Sequence, residues 1–343
     1  MTTTAQPGDT AVAAGLAIAD FRAQARWQWY ESLFWLGAIA WYFLFPDQLP
    51  LGTQILAAAL FALSLDLILG YGGIVSLGHT TFFGIGAYTA GLLSTHGWNE
   101  PITCVLAGGI LAAIAGWICS FVIVRVQGIA LLLVTLGINL VLYEVANKAY
   151  TITGGVDGLQ GVNFKPVLGI FAYDLYGRTS FIYTLIFVFL VYLVARRIVY
   201  SPFGLALKGM RENWKRMPAL GAALRRHGAL IFVISAAIAG IAGALLAESI
   251  QFVSLDSLDV NRSVEVLTML IVGGTGVLYG SFVGATVYMV VRNQLANAYP
   301  AYWYFWIGFL LVVIVVFTRN GLVGAMSDTA EWLKRRRHRR VAP

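Results

Sequence analysis

Five residues stand out among the polar ones that interrupt the apolar stretches of this chain: Asp66, His79, Asn139, Glu144 and Glu265. A charged side chain inside lipid is costly, so such residues normally face a partner or a water-filled path. One hypothesis is that they contact a solute crossing a membrane. The alternative, which we favour for Asp66 and Glu265, is that the carboxylates bond helix ends or glycine-exposed backbone. Proton coupling is the least favoured role, because no acid and histidine relay repeats along one segment.

The patterns of catalytic and metal sites are missing from the sequence. There is no G-x-x-x-x-G-K-[ST] loop that would cradle nucleotide phosphates. The four histidines are scattered, and Cys104 and Cys119 fall roughly 22 Å apart along one predicted helix, too far for a disulfide. We therefore expect no catalytic residue, no metal and no cofactor in this chain. A membrane enzyme is the weaker interpretation, and energy for any transport must come from elsewhere.

A basic island lies between two long apolar stretches, from Ser201 to Gly228. It carries a single acid, Glu212, against six cations: Lys208, Arg211, Lys215, Arg216, Arg225 and Arg226. Such a cluster between membrane-spanning segments is typical of a cytoplasmic loop. Ser201 can cap a helix that begins at Pro202, and Pro218 is expected to end it. The sequence thus predicts a folded cytosolic loop that contacts a partner.

Composition indicates the elements that must hold these residues. The chain is 59% hydrophobic and only 11% charged, with a mean hydropathy of +0.77. Apolar runs of roughly 20 residues match the thickness of a bilayer, which excludes a soluble core and predicts an all-α polytopic membrane protein. The ten expected spans lie near residues 32–45, 54–69, 79–94, 102–124, 128–146, 181–199, 229–247, 264–272, 279–291 and 303–318.

Charge predicts the topology of these spans. With the N-terminus inside, the island and the basic run from Lys334 to Arg340 both fall in the cytosol, as the positive-inside rule requires. The C-terminal basic run falls in the cytosol only if the apolar stretch 264–291 is split into two spans at Gly273–Gly276. A broken or re-entrant segment is the alternative. We expect an uncleaved cytosolic tail over residues 1–30, a membrane domain over 31–325 and a basic cytosolic tail over 326–343. Contact with anionic lipid explains the basic C-terminal tail more simply than binding of nucleic acid does.

Two longer stretches are predicted on the opposite side of the membrane, residues 148–179 and 251–262. They could form a docking face for an external partner, or they could simply connect spans. Glycines are abundant in the spans and their turns, where they favour close helix packing. A weak internal repeat, Gly72-Gly73 and Gly273-Gly274, is equally compatible with chance. The glycines of interest are Gly72, Gly73, Gly78, Gly84, Gly86, Gly273 and Gly274.

Five ordered motifs carry a family resemblance. The run LGYGGIVSLGHTTFFGIGAYTAGLL (Leu69–Leu93) resembles the signature of permease subunits of ABC importers for branched-chain and other hydrophobic amino acids. TGGVDGLQGV (Thr153–Val162), SPFGLALKGMREN…ALG (Ser201–Gly221), FVISAAIAGIAGAL (Phe232–Leu245) and SVEVLTMLIVGGTGVLYGSFVGA (Ser263–Ala285) follow in the family's order. The pattern is similar to the M-type rather than the H-type permease.

The resemblance implies a role for the island. The corresponding loop of the family is a coupling helix that docks on an ATPase subunit, here over Phe203–Leu220. It also implies a bacterial inner-membrane importer with a second, H-type permease, two ATPases that bind ATP and Mg, and a periplasmic binding protein. The residues matching the coupling loop are Ser201, Pro202, Phe203, Gly204, Lys208, Arg211, Glu212, Asn213, Lys215, Arg216, Leu220 and Gly221.

The sequence leaves the gates, the solute and the class of transporter open. Gates are expected within Leu136–Asn139 and Val264–Val272, and relatives of this type carry urea, amides or aromatic acids as well as branched-chain amino acids. Trp214 and Pro218 depart from the family's loop, and Asp66 stands where the family usually has Asn. A self-contained secondary transporter or channel is the alternative of another class.

Overall fold

The computed structural model describes residues 29–174, 176–317 and 321–324. Within these ranges the chain is helical and forms no strand, which confirms the all-α expectation. Most of the predicted N-terminal tail and the whole basic C-terminal tail lie outside the described residues.

Eleven helices longer than ten residues can be followed in the described part of the chain. Ten coincide with the predicted apolar segments, and α7 lies in the basic island. They are α1 (Trp29–Leu44), α2 (Leu49–Asp66), α3 (Thr80–Thr95), α4 (Pro101–Ile123), α5 (Ile129–Lys148), α6 (Arg178–Val199), α7 (Pro202–Glu212), α8 (Leu224–Ile250), α9 (Val260–Gly273), α10 (Gly280–Ala298) and α11 (Trp303–Phe317).

Five of the helical stretches are long and apolar enough to cross a bilayer alone. They are Pro46–Tyr71, Pro101–Ile123, Ile129–Lys148, Arg178–Val199 and Leu224–Ile250. Two shorter apolar stretches, Glu31–Leu44 and Trp303–Val313, join them. Proline opens α2, α4 and α7 within their first turn, where its missing N–H costs nothing.

Helix α8 lies at the centre of the bundle and packs on α2, α3 and α4. Glycine makes this packing close. A Cβ atom on Gly86 of α3 would overlap the carbonyl oxygen of Gly240 on α8, and one on Gly243 would overlap that of Phe83. Helix backbones therefore touch directly, with no side chain between them.

The chain between α2 and α3 is unwound although it is buried. Helix α2 ends in a π-helical turn, Leu67–Tyr71, and residues 72–79 then run without regular helix to Thr80. Ile74, Ser76 and His79 of this segment are buried. A Cβ on Gly78 would overlap the carbonyl oxygen of Thr135 on α5. Irregular backbone is tolerated at membrane depth where protein surrounds it in this way.

The break predicted at Gly273–Gly276 is present. Helices α9 and α10 form an antiparallel hairpin, in which a Cβ on Gly273 would overlap the carbonyl oxygen of Gly280 and one on Gly284 that of Met269. Helix α9 has 14 residues, which gives it a length of about 21 Å. This is shorter than the ~30 Å hydrocarbon core.

The prediction that Pro218 ends the island helix was wrong. Helix α7 ends at Glu212, because Asn213 leaves helical backbone angles and its Oδ1 accepts a hydrogen bond from the N–H of Arg216 at 3.1 Å. Met217–Leu220 forms a separate 3₁₀ turn. Helix α8 then begins at Leu224, earlier than the expected residue 229.

The bundle has two distinguishable ends. The α7 end carries α7 and the glycine turns at residues 70–73 and 273–276. The loop end carries residues 149–174, 176–177 and 251–259, where the N–H of Leu159 donates to the carbonyl of Val253 at 2.7 Å. The two long predicted loops therefore meet. Cys104 and Cys119 both lie on α4 as free thiols.

Candidate functional site

Helix α7 binds the bundle with one face and leaves the other open. Ser201 caps it, its Oγ accepting from the N–H of Gly204 at 3.4 Å. Leu207 and Met210 are buried against the bundle, and a Cβ on Gly204 would overlap the carbonyl oxygen of Val199. Helix α7 is therefore packed against the bundle along this face.

The outer face of α7 and the turn after it are polar and exposed. Most of the residues expected to meet a partner lie there: Pro202, Glu212, Asn213, Lys215, Arg216, Leu220 and Gly221. Leu220 is 78% exposed. Phe203 faces inward instead and stacks on His227 with ring centres 5.4 Å apart.

The guanidinium group of Arg211 reaches back into the α7 end of the bundle. Its Nη1 donates to the carbonyl oxygen of Gly70. Asp66, one turn earlier in the chain, accepts from the N–H of Gly276 at 2.7 Å through its Oδ1. We call this set, Asp66, Gly70, Arg211 and Gly276, the glycine junction. It ties α7 to the end of α2 and to the turn between α9 and α10.

Glycine is required at this junction for two separate reasons. Gly276 has a φ of +82°, which favours glycine. At Gly70 the reason is space, since a Cβ there would lie 2.5 Å from the backbone nitrogen of Gly276. Gly73 has a φ of +69°, and its Cβ would lie 3.1 Å from the Cα of Arg211. Gly73 and Gly276, one from each turn, therefore both lie next to Arg211.

Lys208 lies beside the junction on α7. Its Nζ is 5.7 Å from the ring centre of Tyr71, within range of a cation–π interaction. Partial burial lowers the pKa of this amine below its usual value, because the charged form loses hydration. Lys208 thus belongs to the basic island and also contacts the bundle beside α7.

His79 is buried in the middle of the bundle. Its Nε2 lies 2.9 Å from the Oγ of Ser64 and 3.2 Å from the Oγ of Ser235, and its ring stacks on Phe61. These contacts hold His79, the last residue of the unwound segment, against α2 and α8.

Asn139 lies at the same depth on α5 and is also fully buried. Its Nδ2 donates to the Oγ1 of Thr80 at 3.1 Å and to the carbonyl of Leu258 at 3.0 Å. The Oγ atoms of Thr80 and Ser263 are 2.7 Å apart. Asn139 and Ser263 stand at the edges of the two segments predicted as gates, and both contact Thr80.

The two remaining acids lie in different settings. Glu144 is exposed on α5, on a face that also presents Leu133, Leu140 and Val141. Glu265 lies near the loop end, where its Oε2 is 3.4 Å from Nη1 of Arg292 on α10. The structure therefore does not bring the five polar residues into one site. Asp66 bonds the backbone N–H of Gly276 in the turn between α9 and α10, whereas Glu265 pairs with a side chain and not with a helix end or backbone group. Solute contact stays a prediction for all five.

Sequence reasoning missed three buried or half-buried charges. Arg292 is the partner of Glu265. Glu31 pairs with Arg196 at 3.0 Å and accepts from the hydroxyl of Tyr192 at 3.1 Å. Glu248 is buried near the loop end of α8. Each is an ionisable residue inside or beside an apolar run. The criterion that singled out Asp66, a charge within an apolar stretch, would therefore have found them too.

Comparison with known proteins points to one family. Residues 50–315 match the family described as the permease component of branched-chain amino acid transport systems. The chain is 29% identical over 308 residues to the high-affinity branched-chain amino acid transport system permease protein LivM of Escherichia coli, an alignment that covers 83% of this chain and 72% of that protein. The LivM protein of Salmonella typhimurium gives the same values.

A more distant relative comes from an archaeon. The probable branched-chain amino acid transport permease protein LivM of Methanocaldococcus jannaschii is 24% identical over 295 residues, which is 77% of this chain and 84% of that protein. No solved structure gave a significant match to the chain.

Proposed function

The chain belongs to the family of permease components of branched-chain amino acid transport systems, and we propose that it forms half of the solute pathway of an ATP-driven importer. It is a multi-pass protein of the inner membrane and resembles the M-type permeases. In this proposal an H-type permease supplies the other half of the pathway. Two cytosolic ATPases bind ATP and Mg, and a periplasmic binding protein delivers a small hydrophobic amino acid.

The observation that carries this proposal is the attachment of α7 to the bundle through the glycine junction. A helix that is to convert ATPase motion into a change of the pathway must be connected rigidly to the helices that move. Arg211 connects α7 to α2, and Asp66 connects α2 to the α9–α10 hairpin. A push on α7 would therefore reach both elements without passing through a flexible loop.

The exposed side of the island supports docking of an ATPase. Lys215 and Arg216 lie in the turn after α7, and Arg225 and Arg226 are exposed at the start of α8. In the proposal the α7 end faces the cytosol, and an ATPase groove with acidic and apolar groups receives Leu220 and these cations. Complementary charge of this kind mainly sets the rate and specificity of docking.

The open face of α5 supports a second permease. Only Leu131, Thr135, Asn139 and Ala146 of this helix are buried in the chain. A carboxylate such as Glu144 on an otherwise apolar face is costly against lipid, so it should face protein or a water-filled path. We propose that this face meets the second permease and lines the pathway between them.

Reconstitution of the four kinds of subunit in proteoliposomes tests this function. We expect leucine uptake that requires ATP, the ATPases and the binding protein. Uptake by the chain without ATPases would overturn the proposal and indicate a self-contained carrier.

Replacing the arginine of the junction sharpens the test. Arg211→Ala should leave the ATPases bound in a pull-down yet lower uptake more than about tenfold, because losing a hydrogen bond from a charged group costs about 1.5–3 kcal/mol. The control is Arg225→Ala, which removes an exposed cation from the same island. Equal uptake by the two variants would show that the junction does not transmit the motion.

A further inference from the structure

The loop end of the bundle contains a cavity that the proposed docking and coupling do not use. It has a volume of about 230 Å³ and lies between α2, α3, α8, α9 and α10. It is separate from the open face of α5, since no residue of α5 lines it. The cavity belongs entirely to this chain.

Charged groups line the part of this cavity that is nearest to the loop end. They are Arg262 and Glu265 on α9 and Arg292 on α10, with the amides of Gln54 and Asn293 beside them. The ion pair between Glu265 and Arg292 is long, at 3.4 Å. In a strong charge-assisted hydrogen bond the nitrogen and oxygen atoms normally lie about 2.7–2.9 Å apart. The pair therefore has room to accept other partners.

Arg262 has unused hydrogen-bonding capacity. Its Nη2 donates to Oδ2 of Asp256 at 2.7 Å, and its guanidinium carbon lies 5.7 Å from the ring centre of Phe83. Its Nε is buried without a hydrogen-bond partner among the described residues. A buried N–H without a partner is costly, and an added acceptor would relieve that cost.

The deeper part of the cavity is apolar. It is lined by Phe61, Met269 and Met289, whereas the ring of Phe83 lies beside the guanidinium group of Arg262. From Arg262 to Met269 the helix rises by about 10 Å, so the charges and the apolar floor lie at different depths. Methionine adapts its shape easily, and this suits a floor that accepts side chains of slightly different form.

We propose that this cavity binds an α-amino acid with a small apolar side chain. Its carboxylate would face Arg262 and Arg292, its ammonium group would face Glu265, and its side chain would point to the apolar floor. The inference rests on the proposed function, because it takes the solute of that importer and gives it a binding site inside this chain, apart from the face of α5.

Size and charge discriminate among the solutes that the family resemblance left open. A cavity of ~150 Å³ holds benzene with its six heavy atoms, so about 230 Å³ has room for roughly nine, the number in leucine. Urea and short amides leave the apolar floor empty and carry no charge for the arginines. An aromatic acid without an amine leaves Glu265 facing a carboxylate.

Binding to the assembled complex without its binding protein tests this inference. The probe is radiolabelled L-leucine, and the competitors are 4-methylpentanoate, which lacks the ammonium group, and 3-methylbutylamine, which lacks the carboxylate. We expect saturable leucine binding and at least about tenfold weaker competition by each analogue, since each loses a charge-assisted contact. Equal competition by an analogue and leucine would overturn the zwitterion assignment. This comparison uses the unaltered protein and does not depend on how a variant folds.

A matched pair of variants locates the site. Glu265→Gln should weaken leucine binding about tenfold or more and remove the discrimination against 4-methylpentanoate. Glu100→Gln makes the same chemical change on a residue that does not line the cavity, and should leave both unchanged. Unaltered binding and discrimination in Glu265→Gln would overturn the inference.

The test also separates this inference from the function on which it rests. A complex that imports leucine from its binding protein but shows no saturable leucine binding of its own would overturn the cavity assignment alone. A complete complex that imports no leucine would overturn the proposed function.

Discussion

At the α7 end of the bundle, helices are held together by direct contact of their backbones, whereas at the loop end they stand apart around a cavity. The turn at Gly70 touches the turn at Gly276 so closely that a single methyl group would separate them. At the loop end the same two elements, α2 and the α9–α10 hairpin, line about 230 Å³ of open space. The hairpin is therefore fixed at its turn and spread at its open end.

This difference indicates which end of the bundle is the more rigid. At the glycine junction both Asp66 and Arg211 bond backbone groups, which cannot move without moving a whole element. At the cavity Glu265, Arg262 and Arg292 bond other side chains, which can change partners by rotation. Motion is best transmitted through the first kind of contact, and a solute is best received by the second.

The largest effect should come from a methyl group placed in the junction. In Gly70→Ala the new Cβ overlaps Oδ1 of Asp66 and lies 2.5 Å from the nitrogen of Gly276. Overpacking costs about 1–3 kcal/mol, and losing the bond from Asp66 to Gly276 costs about 1–3 kcal/mol more. We expect a clearly lower thermal unfolding midpoint in detergent and little or no uptake.

Gly137→Ala is the matched control for this variant. Gly137 also lies in the helical part of the chain, but a Cβ there would meet nothing within 4 Å. Its unfolding midpoint should stay the same or rise slightly, because alanine favours helix over glycine. If both variants unfold at the same temperature, the α7 end is not the tightly packed region described above.

A smaller effect is expected from replacing Asp66 itself. Asp66→Ala leaves the N–H of Gly276 without its acceptor, at a cost of about 1–3 kcal/mol in the free energy of unfolding. Asp66→Asn keeps an oxygen in the accepting position, so its unfolding midpoint and uptake should stay close to those of the original chain. Uptake that fails equally in both variants would mean that the negative charge, and not the hydrogen bond, is required.

The helices could be predicted from the sequence because their signals are local. Apolar runs, prolines at the first turns and the glycines at 273–276 all act over a few residues, and each of the ten predicted segments is helical. The main error, the end of α7 at Pro218, has a local cause as well. Asn213 bonds its own turn and stops the helix earlier.

The connections of the site could not be predicted because they are not local. Asp66 and Gly276 are far apart in sequence, and no period or spacing relates them. Arg211 was expected to face an ATPase with the other cations, yet its guanidinium reaches Gly70. Which way a long side chain turns depends on the acceptors that the fold brings near it. Glu265 could be singled out as costly, but its partner Arg292 is known only once α9 and α10 pack.

The smallest effect is expected at the loop end, where Ser94 of α3 bonds Asn163 in the segment 159–167. The Oγ of Ser94 donates to the carbonyl of Asn163 at 2.8 Å and accepts from its N–H at 3.0 Å. Ser94→Ala removes both bonds, and a typical hydrogen bond contributes about 1 kcal/mol. We expect faster amide exchange in residues 159–167, a small fall in the unfolding midpoint and nearly normal uptake.

The control for this last variant is Ser249→Ala, because the Oγ of Ser249 bonds only the carbonyl of Leu246 within its own helix. Exchange in residues 159–167 should not change there. A loss of uptake in Ser94→Ala as large as that in Gly70→Ala would erase the contrast between the two ends. It would mean that the loop end transmits motion as stiffly as the junction, and that the cavity changes shape with the loops above it. Normal uptake with faster exchange would instead show that the loop end can loosen while α7 still drives the pathway.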